Sequence, residues 1–166
     1  ALHYQEIFKL IKENKMWLGN GFENGNAFFE TPGGEQYGGG VYDPETGLVK
    51  FRNVAWFTNL EHQRRHEELI LFKKYNDEEF PNYDNLDAIE VSKIKDIPID
   101  YFGAMGVPDT FLAKYNPDQF ELIGIPFGNL GKEIGVTRNH RGRTDIAITK
   151  DGKSRCPYSR IIIKRK

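Results

Sequence analysis

Leu48-Val49-Lys50-Phe51-Arg52-Asn53-Val54-Ala55-Trp56-Phe57-Thr58-Asn59 is the stretch on which the fold of this chain turns. It is dense in valine, phenylalanine and tryptophan, whose branched and flat side chains suit the pleated backbone of a strand. Alternation puts Phe51, Asn53, Ala55 and Phe57 on one face and Arg52, Val54, Trp56 and Thr58 on the other. Aromatic groups on both faces point to a central strand covered on both sides. Immediately before it, Asp43-Pro44-Glu45-Thr46-Gly47 is a turn signal.

Upstream, residues 19–47 hold nine glycines, which predicts loop with short strands at residues 27–30 and 36–42. Met16-Trp17-Leu18 forms a brief strand that Gly19 ends. Residues 4–14 read as an amphipathic helix, with Tyr4, Ile7, Phe8 and Ile11 at helical spacing. A helix with no preceding strand to pack upon points to a chain cut from something larger. Downstream, residues 68–72 predict a second strand. A boundary falls at residues 75–87, where Asn76-Asp77-Glu78-Glu79 is acidic and Pro81, Asn82 and Asn85 break regular structure. Further strands are expected at 87–91, 120–125, 144–149 and 158–164, with a turn or short helix at 91–96. Residues 99–107, bracketed by Pro98 and Pro108, are expected to be irregular. A helical turn follows at 110–114, capped by Asp109 or Thr110. Asp151-Gly152 is a hairpin-type turn signal. The result is one helix and then mostly strands, in two parts of about 75 and 90 residues.

A chain of 166 residues can bury a core without staples. Its 39% hydrophobic and 28% charged residues describe a soluble globular mixture. The lone cysteine, Cys156, excludes an internal disulfide and fits a reducing, cytoplasmic setting. No run of apolar residues reaches membrane-spanning length, and no secretory leader opens the chain. The net charge of −1 hides a strong asymmetry. Residues 131–166 carry 11 Lys/Arg against three Asp/Glu, a balance of +8, and the other 130 residues carry −9. One face attractive to polyanions follows, and nucleic acid is the first partner to consider. A basic face for an acidic protein and a simple solubilising tail are the alternatives.

Arg138-Asn139-His140-Arg141-Gly142-Arg143-Thr144-Asp145 has the chemistry of a nucleic-acid contact. Arginine forks onto guanine or clamps phosphate, asparagine reads adenine, and glycine lets the loop approach closely. The alternative is a local Arg143–Asp145 ion pair. Lys153 and Arg155 belong to the same basic stretch, and Arg64 and Arg65, beside His62 and His66, form either a second, phosphate-facing loop or a solvated one. Metal binding by the two histidines lacks further ligands at suitable spacing. In the 48–59 stretch, Trp56 or Phe57 is a group to stack on an extruded base, with Asn53, Thr58 and Asn59 as polar companions; plain core is the alternative. Gly19-Asn20-Gly21 and Phe102-Gly103-Ala104-Met105-Gly106 read as loops, since a dinucleotide fingerprint needs a preceding strand and a following long helix. Asn116-Pro117-Asp118-Gln119-Phe120 reads as a turn before a strand. No nucleophile–base–orienter set is evident.

His3-Tyr4-Gln5-Glu6-Ile7-Phe8, Arg65-His66-Glu67-Glu68-Leu69-Ile70, Phe111-Leu112-Ala113-Lys114-Tyr115-Asn116-Pro117-Asp118-Gln119-Phe120-Glu121 and Cys156-Pro157-Tyr158-Ser159-Arg160-Ile161-Ile162-Ile163, with residues 52–60, 83–98 and 106–108, resemble the C-terminal half of EcoRI-type adenine-specific DNA methyltransferases. The resemblance covers nearly the whole chain. It implies an α/β fold: a truncated Rossmann-like methyltransferase portion at residues 1–75, then a mainly β target-recognition region at 76–166. The family's cofactor glycine loop and Asn-Pro-Pro-aromatic motif belong to an N-terminal half that this chain lacks. The resemblance therefore implies a parent that methylates adenine N6 from S-adenosylmethionine in a restriction-modification system, and an isolated chain that binds no cofactor and does not turn over. Its implied target-base pocket residues are Asn53, Trp56, Phe57 and Asn59. The DNA-binding expectation rests on Arg64, Arg65, Arg138, Asn139, Arg141, Arg143, Lys153 and Arg155. Expected partners are double-stranded DNA and the missing catalytic half, in cis or in trans, with self-association through an exposed sheet edge. The alternative is a noncatalytic DNA-binding or specificity protein derived from this fold.

Overall fold

Helix α1 (Gln5–Lys12) buries Phe8 and Ile11, two members of the predicted stripe, and places Glu6 in its first turn and Lys9 and Lys12 in its last, where each charge suits the helix dipole. The structure, a computed structural model, describes residues 4–36 and 38–166; the side chains of residues 21–24 and of Asn53 lie outside the description. The chain leaves the helix through Asn14 in the left-handed region, φ 56°, which asparagine tolerates.

Strand β1 (Trp17–Phe29) corrects the glycine-loop expectation. Gly19 does not end it, because β3 supplies a partner at both its ends, from Trp17 and Leu18 to Ala27–Phe29. Irregular pairing between Leu18 and Ala27 takes up the slack, as bulges do where glycine weakens a strand. In place of the strand expected at 36–42 there is a short 3-10 turn at Gly34–Gln36 followed by β2 (Val41–Asp43). The 43–47 turn is present. Asp43 accepts from the Glu45 N–H at 2.9 Å and the Thr46 hydroxyl at 3.0 Å, which lowers its pKa. Strand β3 (Leu48–Thr58) is the predicted one and is central, in the antiparallel order β1-β3-β2. Only one face is covered, however. Val49 is buried, whereas Arg52 and Trp56 on the opposite face are exposed.

Residues 68–72 form no strand. The Gln119 side chain takes the place of a partner, accepting from Leu69 N at 2.9 Å and donating to Leu69 O at 2.7 Å. The second sheet contains β4 (Ile89–Glu90), β5 (Met105–Pro108), β6 (Phe120–Gly124) and β9 (Arg160–Arg165), in the order β4-β5-β9-β6. Contrary to the expected irregularity, residues 105–108 pair because β4 and β9 flank them, and Pro108 falls at the strand end where its missing N–H costs little. The turn at 91–96 is a 3-10 turn at Ile94–Asp96. The helical turn after β5 is 3-10 at Asp109–Lys114 and carries no side-chain cap; the Asp109 carboxylate accepts from Ser159 instead. Helix α2 (Gly128–Glu133) leaves no signal in the sequence, since a six-residue segment with two glycines has poor helix propensity.

The 144–149 strand reduces to β7 (Ile148–Lys150), which gains a partner beyond the expected set in β8 (Lys153–Arg155). Asp151 and Gly152 join them with φ 51° and 73°, the two positive values of a type I′ hairpin. Phe8 and Ile11 enter the same core as Leu71, Ile89, Met105, Phe111, Phe120, Ile161 and Ile163. The architecture is mixed α/β, with three sheets and two short α-helices among the described residues. No helix among the described residues is long and apolar enough to cross a membrane.

Candidate nucleic-acid interface

The basic loop at 138–145 is built around one side chain. Asn139 Oδ1 accepts from the backbone N–H of Arg141 at 2.8 Å and of Arg143 at 3.1 Å. Its Nδ2 donates to Asp145 O at 3.1 Å and to Cys156 Sγ at 3.4 Å. Backbone bonds from Asn139 N to Arg143 O and from Gly142 N to Asn139 O close the loop, and Gly142 turns it at φ 72°. The hydrogen-bonding capacity of the Asn139 amide is therefore used within the protein, where it holds the loop that carries the arginines. Asp145 does not pair with Arg143. Its Oδ1 accepts from Gly128 N at 3.0 Å, at the start of α2.

Arg138, Arg141 and Arg143 are left exposed. Arg138 and Arg143 line a concavity with Lys132, Gly142 and Thr144. Lys132 is an addition to the expected set, brought there by a helix that the sequence does not signal. The Asn139–Cys156 contact ties this loop to the end of β8, which presents Lys153 and Arg155, both exposed. The structure thus places six of the expected DNA-contact residues, Asn139 among them, on this loop and the adjoining strand. Three other cations of the C-terminal stretch are committed internally. Arg160 holds the buried Glu90 carboxylate through bonds of 2.6 to 3.2 Å, joined by the Tyr83 hydroxyl and by Ser92. Burial works against the Arg160 charge, and the Glu90 bonds and charge outweigh it, so its pKa is raised. Arg165 lies over the Phe102 ring at 4.8 Å, and Lys166 donates to Pro117 O at 2.5 Å.

Arg64 and Arg65 lie elsewhere and behave differently from the expectation. Arg65 is buried, with its guanidinium 3.5 Å from the Trp17 ring centroid and bonds to Glu61 at 2.5 Å and to Asn14. It braces the 59–66 loop and is not placed for phosphate. Arg64 is half-buried and reaches Asn20 Oδ1 at 3.5 Å. His62 contacts Leu18 O at 2.9 Å, while His66 bonds Glu61 at 3.0 Å and faces Asp118 at 3.6 Å, so the two rings serve separate partners. The His66 bond and the neighbouring Arg65 charge lower the Glu61 pKa.

The expected base-pocket residues do not converge. Phe57 faces inward and packs on the main core. Trp56, on the other face, is 41% exposed, and its ring lies so close against Gly19 that even a Cβ there would collide with it. Asn59 is exposed beyond the strand end, and the Asn53 side chain lies outside the described residues. Of the two aromatics, Trp56 has a rigid backing and an accessible surface.

Neither glycine run fits a nucleotide cofactor. Gly19-Asn20-Gly21 lies inside β1, and residues 102–106 run into β5 and then a 3-10 turn, so neither opens a helix that could face a phosphate. The sequence profile of the family described as "Adenine-specific methyltransferase EcoRI" matches residues 1–166. The chain is 43% identical over 171 residues to the type II methyltransferase M.EcoRI of Escherichia coli, spanning 100% of this chain and 48% of that protein. It is 37% identical over 182 residues to the type II methyltransferase M.MpnI of Mycoplasma pneumoniae, spanning 100% of this chain and 54% of that one. For the type II methyltransferase M.MgeORF184P of Mycoplasma genitalium the identity is 36% over 181 residues, with 99% and 54% spanned. The chain thus spans about half the length of the curated relatives it matches. No solved structure is significantly similar to it.

Proposed function

The chain belongs to the family of EcoRI-type adenine-specific methyltransferases, and we propose that it is the DNA-gripping part of a longer DNA adenine N6-methyltransferase of restriction-modification type. The observation that carries this reading is the Asn139-organised loop, which holds Arg138, Arg141 and Arg143 exposed beside Lys153 and Arg155. Arginines on a fixed loop suit phosphate clamping and guanine reading in a duplex groove. Residues 76–166 then serve target recognition. Residues 1–75 close a Rossmann-like methyltransferase portion and, through Trp56, give one wall of the target-base pocket.

Binding of S-adenosylmethionine and methyl transfer fall to the half of the relatives' length that this chain does not span, supplied in cis or in trans. The poor fit of the chain's own glycine runs to a cofactor supports that division. It equally supports the second reading, a noncatalytic DNA-binding protein on the same fold. The natural polypeptide separates the two. A longer product that transfers methyl groups to adenine N6 in duplex DNA, with no transfer by residues 1–166 alone, is the expected result. Methyl transfer by residues 1–166 alone overturns the reading. A natural product of this length with no catalytic partner selects the noncatalytic protein. Within the longer enzyme, Trp56→Ala should abolish the quenching of tryptophan emission on target binding; unchanged quenching removes Trp56 from the pocket.

A further inference from the structure

The outward face of the first sheet joins positive charge to exposed aromatic rings. Phe28, Lys50 and Val41 stand side by side across β1, β3 and β2, and farther along β3, where the pairing with β1 shifts register, Arg52 and Trp56 are exposed. Phe28 is 50% exposed and Val41 55%, and the Lys50 ammonium lies 5.8 Å above the Phe28 ring. Arg52 is exposed and pairs with no carboxylate among the described residues. Among the described side chains, the acidic neighbours sit at one end of the row. Asp43, opposite Leu48, is turned into its own turn, and Glu30 lies just past β1. Among the described side chains, Lys50, Arg52 and Trp56 bring positive charge and an aromatic ring to β3.

Alternate residues of a strand stand about 7 Å apart, a spacing that an extended, unstacked nucleotide strand can follow. A paired duplex keeps the flat faces of its bases covered by their neighbours. A base extruded from a duplex offers one such face, whereas an unpaired strand offers several in succession, and stacking on them tolerates any sequence. The Trp56 ring is fixed from below by Gly19, so little freedom is lost when a base stacks on it.

We propose that this face binds an unpaired nucleic-acid strand, with Trp56 and Phe28 stacking on bases and Lys50 and Arg52 contacting the phosphates between them. The inference rests on the DNA-binding reading and adds a second surface to it, distinct in place and in preferred strand form from the arginine loop.

The test measures fluorescence anisotropy of the 166-residue chain with two labelled probes, a single strand of about 12 nucleotides and its blunt duplex. Lys50→Gln with Arg52→Gln should weaken single-strand binding about tenfold and duplex binding less than about twofold. Arg141→Gln with Arg143→Gln should do the reverse. Trp56→Ala should weaken the single strand, and Trp56→Phe should restore it, which a merely structural role for the indole would not predict. Single-strand affinity unchanged by the Lys50/Arg52 pair, or an equal loss on both probes, overturns the inference. Loss of single-strand binding in a chain that never bound duplex supports this face and overturns the duplex reading. Binding of neither probe overturns both.

Discussion

Gly19 lies beneath Trp56 in the first sheet and Gly106 lies beneath Tyr83 in the second, but the two pairs differ in their surroundings. Tyr83 is buried and donates to Glu90, itself held by Arg160, so the ring above Gly106 is fixed on every side. Trp56 is backed by Gly19 and otherwise faces outward. The second sheet buries Ile89, Met105, Phe120, Leu122 and Ile161–Ile163 and satisfies its one buried carboxylate internally. The first sheet leaves Phe28, Val41 and Trp56 partly in water. Exposed aromatic groups on a sheet contribute less to holding it than buried ones do. Stability is therefore concentrated in the second sheet and binding surface in the first sheet and the arginine loop.

The hardest blow to that division should come at Glu90. Glu90→Ala leaves Arg160 half-buried without its partner and removes the acceptor for Tyr83 and Ser92, a loss of about 3 kcal/mol or more in urea denaturation. A loss under about 1 kcal/mol would contradict a second sheet held by this network. Next, Gly106→Ala drives a Cβ into the Tyr83 hydroxyl and should cost about 2 kcal/mol, because the ring cannot move away. Gly19→Ala makes as close a clash, yet Trp56 can swing into water, so its stability cost should stay below about 1 kcal/mol. Its larger effect should be on nucleic-acid binding, read as weakened tryptophan quenching. Equal stability costs at the two glycines would erase the contrast between the sheets.

The smallest expected effect is on the alkaline side. Burial, then the Glu90 charge, raises the Tyr83 pKa well above its ordinary value. The unfolded chain loses this proton near pH 10, while the folded chain keeps it. The contribution is therefore fully present below about pH 10 and is lost as pH rises through the folded value. Tyr75, pushed up to about 12 by its bond to Asp77, acts in the same direction. Urea midpoints from pH 8 upward should fall above about pH 10, and Tyr83→Phe should flatten the fall. An unchanged fall in that variant would remove Tyr83 as its source.

Where local chemistry dictates conformation, the sequence is legible. The helical stripe, the 48–59 strand, the 43–47 turn and the Asp151-Gly152 hairpin turn all depend on neighbours within a few residues. Local rules fail where a distant partner decides. The glycines of 19–25 have loop composition, but β3 lies thirty or so residues away and a strand propagates along whatever partner it finds. Residues 68–72 have strand composition but meet the Gln119 side chain instead of a strand. At the interface the residue types point to the arginine loop, whereas the inward turn of Arg65 onto Trp17 and the use of Asn139 as a brace depend on tertiary contacts. Alternation along β3 separates Trp56 from Phe57 correctly, and only the structure shows which of the two faces is open.

Salt dependence of duplex DNA binding, measured for the chain and for its Arg138→Gln/Arg141→Gln/Arg143→Gln variant, tests the arginine grip most directly. If these arginines neutralise phosphates, log Kd should rise steeply with log salt, and the variant's slope should be shallower by about 0.9 for each phosphate no longer neutralised. An identical slope in the two proteins would contradict the assignment of the DNA grip to the loop that Asn139 holds.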